Sequence, residues 1–233
     1  LNRKETRNSI VTIDGPAGAG KSTVSRLLAR KLGFLYLDTG AMYRAVALIA
    51  NRIGIDFEDV HALQGLCSNL PLRFSGAGDQ RKIYVGDEDI SLKIRTSEMD
   101  MLSSRVSAVK EVRESMAILQ REIGRDGNLV AEGRDMGTVV FPDANHKFFV
   151  TATPETRAAR RYQERLNRGE AVSRAEVALE LAKRDEQDMM RTFSPLRPAK
   201  DAQLIDSTNL TPEQVVEEIL LAMKNKNFQG LCY

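Results

Sequence analysis

Residues 9–24 read SIVTIDGPAGAGKSTV, and the fold is decided by how this stretch is understood. An apolar run of strand length, IVTI (10–13), enters a glycine-rich turn and leaves it in a helical pattern, with Val24, Leu27, Leu28 and Leu32 at helix spacing. Gly15, four residues, Gly20, Lys21 and Ser22 match G-x-x-x-x-G-K-[ST], in the strand–turn–helix context that gives the pattern its meaning. Glycines let successive backbone N–H groups turn inward onto phosphate oxygens, and the helix start adds partial positive charge. Gly15, Pro16, Ala17, Gly18, Ala19, Gly20, Lys21, Ser22 and Thr23 are therefore expected to cradle the phosphates of ATP or another nucleoside triphosphate. Lys21 would bridge the β- and γ-phosphates, and the Ser22 hydroxyl is placed for Mg2+.

Outward from this loop the hydrophobic period alternates. Runs of strand length recur at FLYL (34–37), NLVA (128–131), KFFV (147–150) and QLID (203–206). Helical spacing links Met42, Ala45, Val46, Ile49 and Ile53, and again Val109, Val112, Met116, Leu119 and Ile123. At TPEQ (211–214), Thr211 and Gln214 form a candidate capping box with Pro212 at the first helical position. Five strands separated by helices predict a parallel sheet covered on both faces. Residues 70–96 break the rhythm with short β-type runs between Gly and Asp turns, which predicts a small antiparallel insertion. Residues 153–174 gather Arg157, Arg160, Arg161, Arg165, Arg168 and Arg174; a solvated basic helix face and a mobile arginine lid are both open readings.

Composition narrows the function classes. The 233 residues are 28% charged with a formal charge of only +2, so no basic footprint for nucleic acid is expected. Cys67 and Cys232 fall in no metal-ligand spacing and fit a reducing compartment. LNRKETRNSI (1–10) is not followed by an apolar stretch of signal-peptide length, and no run approaches about 18 apolar residues. A cytoplasmic monomer without membrane or nucleic-acid partners is expected.

The acceptor is the harder question. No guanine-reading N-K-x-D element is present, which argues against a GTPase, and a non-catalytic nucleotide-binding module leaves the arginine cluster and the β insertion unexplained. A small-molecule kinase accounts for both, because transfer between two bound polyanions requires arginines and exclusion of water. IDGPAGAGKST (13–23), YLDTGAMYRAVAL (36–48), IRTSEM (94–99), AEGRDMGTVVFPDA (131–144) and RDEQDMMRTFSPL (184–196) together resemble the bacterial cytidylate kinases, a nucleoside monophosphate kinase family. The resemblance runs from about Ile10 to Val216, with DTGAMYR and EGRDMGTVVFPDA its most specific parts; the first nine residues and KNKNFQGLCY (224–233) fall outside it.

That resemblance implies an α/β phosphate-loop kinase fold of the adenylate-kinase type: a core of residues 1–69 and 97–233, a lid at about 157–174, and a monophosphate-binding insertion at 70–96. It implies transfer of the γ-phosphoryl group of ATP, with Mg2+, to CMP or dCMP. Thr39 matches a position beside the acceptor nucleotide, and Arg44 and Arg134 match acceptor-phosphate contacts. Ser104, Arg113 and Asp135 match cytosine contacts, Arg184 and Asp188 sugar contacts, and Arg191 a phosphate-facing arginine. Lys21, Arg44, Arg134 and the lid residues Arg157, Arg160 and Arg161 would carry catalysis. Ser22 stands where some members have Gly, a change that favours metal binding.

Plainer readings stand beside several of these. Arg184, Asp188 and Arg191, at i, i+4 and i+7, also describe a surface ion-pair ladder; Arg134 and Asp135 could pair with each other; Arg44 could be a solvated helix residue; Asp38 could simply cap a helix. Ser104 and Arg113 lie nine residues apart, on opposite faces of a straight helix, so a break near residues 107–110 is expected if both serve one site. An adenylate- or shikimate-type kinase is the alternative within the enzyme class. The acceptor phosphate, with a second pKa of about 6, would attack as a dianion without a general base.

Overall fold

In a computed structural model, residues 8–76 and 82–229 are described. The first seven residues and residues 230–233, on which the two segments outside the resemblance partly fall, lie outside them, as does Cys232. In chain order the elements begin with β1 (Ile10–Asp14), α1 (Lys21–Leu32), β2 (Leu35–Asp38), α2 (Thr39–Arg52) and α3 (Val60–Asn69). There follow β3 (Leu72–Ser75), β4 (Lys82–Val85), β5 (Glu88–Asp89), α4 (Ser97–Ala108) and α5 (Lys110–Ile123). The chain continues through β6 (Leu129–Gly133), a single π-type turn at Met136–Val140, β7 (His146–Thr151), α6 (Pro154–Asn167), α7 (Arg174–Met190), β8 (Gln203–Asp206) and α8 (Pro212–Gln229). The five expected sheet strands all form, and helices α3, α4 and α7 and the π-type turn are additions that periodicity did not indicate.

The chain divides into two units, Leu1–Leu37 with Gly127–Tyr233, and Asp38–Asp126. In the first, the sheet order is β2-β6-β1-β7-β8. Strand β1 pairs in parallel with β6 and β7, and its register sets Asp14 opposite both Gly133 and Phe149. The segments that follow these strands therefore leave from one edge of the sheet, where ligands of open α/β folds bind. Val11, Ile13, Val130, Phe148, Val150 and Ile205 fill the core with Leu28 of α1 and Val216 and Ile219 of α8. The expected box closes at α8: the Thr211 N–H donates to Gln214 Oε1 at 2.8 Å and the Gln214 N–H to Thr211 Oγ1 at 3.3 Å. Such a cap is worth about 1 kcal/mol.

In the second unit, β3, β4 and β5 form the small antiparallel sheet anticipated within 70–96. Ile83, Ile90 and Ile94 pack with Ala41 and Ala45 of α2. The cap of α2 is Asp38, whose carboxylate accepts the Ala41 N–H at 2.8 Å; Thr39 is the first helical residue rather than the cap. The expected break between Ser104 and Arg113 is present, with α4 ending at Ala108 and α5 starting at Lys110 around an extended Val109. Cys67 is buried here and its thiol pushed up to about 12 by desolvation, which makes it an inert core residue. Among the described residues no helix is long and apolar enough to cross a membrane.

Candidate active site

In the first unit the turn after β1 is shaped by its glycines. Gly15 has φ +144°, and a Cβ there would lie 2.0 Å from the Val150 carbonyl oxygen. Gly20, at φ 86°, begins α1 without a side-chain cap, and no acidic residue occupies the first turn. The helix N–H groups there are left to an anion. Lys21 is 6% exposed, and its ammonium donates to the Pro16 carbonyl at 2.7 Å. Burial lowers its pKa to about 7, with Arg134 and Arg184 pushing in the same direction and Glu132 and Asp14 opposing them.

Ser22 donates its hydroxyl to Glu132 Oε2 at 3.0 Å, and the Tyr36 hydroxyl makes a short hydrogen bond to Glu132 Oε1. Ser22 is exposed while Glu132 is buried, so a hydroxyl and a carboxylate meet at the loop. Hard oxygen donors of this kind suit Mg2+. Sequence reasoning missed both partners; Glu132 lay within the AEGRD motif, while Tyr36 read only as a strand residue.

Arg134 pairs with Asp188, Nε to Oδ2 at 2.8 Å, and not with its neighbour Asp135. Asp188 also lies 3.4 Å from Arg191. Burial favours the neutral acid at Asp188, but Arg134 first, then Arg191 and Arg184, hold its pKa below the ordinary value. Arg184, Asp188 and Arg191 thus form no surface ladder, since Asp188 is 4% exposed. Asp135 is buried, and its carbonyl accepts the Val139 and Val140 N–H groups that close the π-type turn.

The arginine-rich helix α6 is not a solvated face. Arg157 is buried; its Nε donates to the Ala152 carbonyl at 3.0 Å, and one terminal nitrogen donates to the Ala17 carbonyl at 3.2 Å and to the Asp185 carboxylate. Arg160 donates to the Ser207 carbonyl at 2.6 Å, and the Ser207 hydroxyl donates to the Ala19 carbonyl at 3.1 Å. Two arginines of α6 therefore brace the phosphate loop through its backbone. Arg161 instead pairs along its own helix with Glu164 at 2.6 Å, and Arg165 joins Glu170 and Glu180. Asp185 and Ser207 were missed because no local pattern links them to positions 28 and 47 residues upstream.

In the second unit, Arg44 lies 3.4 Å from Asp38 and 3.9 Å from Asp100. Thr39 is buried. Arg113 stacks over the Tyr43 ring at 5.4 Å and donates to the Ser107 carbonyl at 3.0 Å, while the Ser107 hydroxyl donates to the Ser104 carbonyl at 3.0 Å. The break between α4 and α5 thus lets Arg113 fold back onto the last turn of α4, at the Ser107 carbonyl.

The first unit sets a lysine, a serine, a carboxylate and clustered arginines around a phosphate-shaped loop, an arrangement suited to moving a phosphoryl group rather than to general acid–base work. Comparison with known sequences agrees. The sequence model for cytidylate kinase matches residues 11–225. A cytidylate kinase of Citrifermentans bemidjiense is 48% identical over 221 residues, covering 95% of each chain. One of Syntrophotalea carbinolica is 48% identical over 97% of this chain and 95% of that one. Among solved structures, a shikimate kinase from Bacteroides thetaiotaomicron aligns with a TM-score of 0.48 and 11% identity over 93% of this chain and 98% of that one. Matched by the family model over residues 11–225 and by these two cytidylate kinases over 95% and 97% of its length, the chain belongs to the cytidylate kinase family and is a nucleoside monophosphate kinase, a phosphotransferase.

Proposed function

We propose that the protein transfers the γ-phosphoryl group of ATP to CMP or dCMP, giving ADP and CDP or dCDP. The observation that carries this reading is the phosphate loop itself, where the buried Lys21 is held on the Pro16 carbonyl at 2.7 Å beside the Ser22–Glu132 hydrogen bond, in a chain of the cytidylate kinase family. Lys21, Arg44 and Arg134 align and neutralise the phosphates directly, as does Arg161, whereas Arg157 and Arg160 act through the loop backbone that they hold. Ser22 and Glu132 would hold Mg2+, which when bound draws charge from the phosphate oxygens. Residues Gly15–Thr23 cradle ATP, while Thr39, Arg44, Ser104, Arg113, Arg134, Asp135, Arg184, Asp188 and Arg191 receive the acceptor, with residues 70–96 as the monophosphate-binding insertion. The acceptor's own phosphate dianion is the nucleophile, so the two histidines, His61 and His146, are left without a catalytic role. The reading extends to a cytoplasmic monomer.

The test is an acceptor panel with MgATP: CMP, dCMP, UMP, AMP and shikimate, scored by kcat/KM. CMP and dCMP should lead UMP by at least about tenfold, since each mispaired buried group costs about 1–3 kcal/mol. Preference for AMP or shikimate would replace this reading with an adenylate- or shikimate-type one, and turnover of none would leave a binding module.

A further inference from the structure

Asp14 is the last residue of β1 and the one immediately before the phosphate loop, yet its side chain does not face that loop's backbone. Its Oδ1 accepts the Met136 N–H at 2.9 Å and its Oδ2 the Gly137 N–H at 2.8 Å, both buried. These are the first two residues of the π-type turn that follows Arg134 and Asp135. The fit is close on the other side too: a Cβ at Gly137 would lie 2.9 Å from Thr12 Oγ1 and 3.4 Å from Asp14 Oδ2. The carboxylate is kept at a cost. Burial pushes the Asp14 carboxyl up to about 6 despite the two N–H bonds, with Asp135 adding to the rise and Lys21 opposing it. A carboxylate with both oxygens accepting is the side-chain group that matches two convergent N–H donors. An amide of the same shape would turn its own N–H toward one of them.

We infer that Asp14 is a positioning residue of the transfer reaction, whose carboxylate fixes the Met136–Gly137 backbone and so presents Arg134 and Asp135 at the strand end that carries the phosphate loop. One side chain thereby ties the segment that holds the donor's phosphates to the segment that receives the acceptor. This rests on the reading that Arg134 and Asp135 serve the acceptor nucleotide. Asp14 is the smallest of the charges that act on Lys21, so its loss should be felt mainly as misplaced acceptor contacts and only weakly as a lost charge beside the ATP phosphates.

Asp14→Asn is the first variant, with steady-state kinetics for CMP and for ATP and hydrogen exchange at the Met136 and Gly137 amides. The KM for CMP should rise about tenfold or more, the KM for ATP should stay within about threefold, and both amides should exchange faster. Gly137→Ala, which crowds the same turn while leaving the Asp14 carboxylate in place, should show the same split and decides the matter if Asp14→Asn fails to fold. Arg134→Ala is measured in parallel. If it raises the KM for CMP while Asp14→Asn, or Gly137→Ala in its place, does not, the positioning role is overturned and the acceptor reading survives. If Arg134→Ala leaves the KM for CMP unchanged, the acceptor reading falls and takes this inference with it. Equal losses for ATP and CMP in the Asp14 variant would reduce Asp14 to a structural residue and refute the inference.

Discussion

Binding of ATP to the free enzyme should take up protons, and the amount follows from Lys21. Its pKa is lowered from an ordinary 10.5 to about 7, by burial first and then by Arg134 and Arg184. At pH 8 roughly one-tenth of the molecules then carry the ammonium, and a triphosphate that restores the pKa above 10 draws in roughly 0.9 proton per site. At pH 6 the ammonium is already present and the uptake falls to roughly 0.1. The sign for stability is set the same way. Between about 7 and 10.5 the unfolded chain binds more protons at this site than the folded one, so the ligand-free protein gains stability as pH rises through that window. The cost of the buried charge is fully present below it. ATP affinity should correspondingly weaken above pH 7, approaching tenfold per pH unit. Isothermal titration without Mg2+ at pH 8, in HEPES and in Tris, reads the uptake from the difference in apparent enthalpy. An uptake below about 0.3, or the same uptake in a folded Lys21→Met variant, would refute the assignment of the perturbed group.

Other outcomes are expected. Lys21→Ala should lower kcat by about a hundredfold or more while the Kd for CMP changes little, because a lysine that meets charge developing on the transferred group acts mainly in the transition state; turnover within threefold of the parent would exclude this role. Tyr36→Phe removes a hydrogen bond to Glu132 without touching Ser22, so the Mg2+ concentration for half-maximal rate and the Kd for Mn2+·ADP should both rise, with kcat at saturating Mg2+ nearly retained. Asp188→Ala leaves the half-buried Arg134 and Arg191 without their shared, buried carboxylate, and should cost about 3 kcal/mol in urea unfolding, the low end for a broken buried pair. Asp135→Ala should shrink the CMP-to-UMP ratio in kcat/KM if this carboxylate reads the cytosine amino group, whereas equal losses would mean that it acts only on its neighbours.

The sequence exposed the parts of this molecule that depend on neighbours along the chain. The phosphate loop and the Thr211–Gln214 box each follow from residues within a turn or two of one another, whereas the break at Val109 was expected only from the resemblance, which set Ser104 and Arg113 at one site. Where side chains meet across the sheet edge, local pattern was silent. Asp14 looked like the end of an apolar strand, yet its partners lie 122 and 123 residues later. The arginine cluster of α6 was the most ambiguous stretch, because composition could not tell a solvated face from a lid. The structure shows two of its arginines turned inward onto the carbonyls of Ala17 and Ser207. Pairing of Arg134 with Asp188, 54 residues away on α7, rather than with the adjacent Asp135 has the same origin, since no local pattern links the two.

The inward arginines also bear on how phosphate can be bound without loss of the fold. Buried cations facing one another would destabilise the protein whenever nucleotide was absent, and removing a partner from a buried pair is among the costliest single changes. Here Arg134 and Arg191 share Asp188, and Arg157 is held by Asp185. The Asp188 carboxylate stays ionised despite burial because three guanidinium groups surround it, and Arg134 is in turn held above its ordinary pKa chiefly by Asp188, against the effect of burial. If this cluster receives the acceptor phosphate as proposed, the incoming charge meets groups already desolvated and oriented, and the reorganisation needed at the moment of transfer would be small. Lys21 is the exception in this arrangement. Its direct hydrogen bond is to a neutral carbonyl, that of Pro16, and burial lowers its pKa to about 7, so the phosphate loop's own lysine stands to gain from the γ-phosphate.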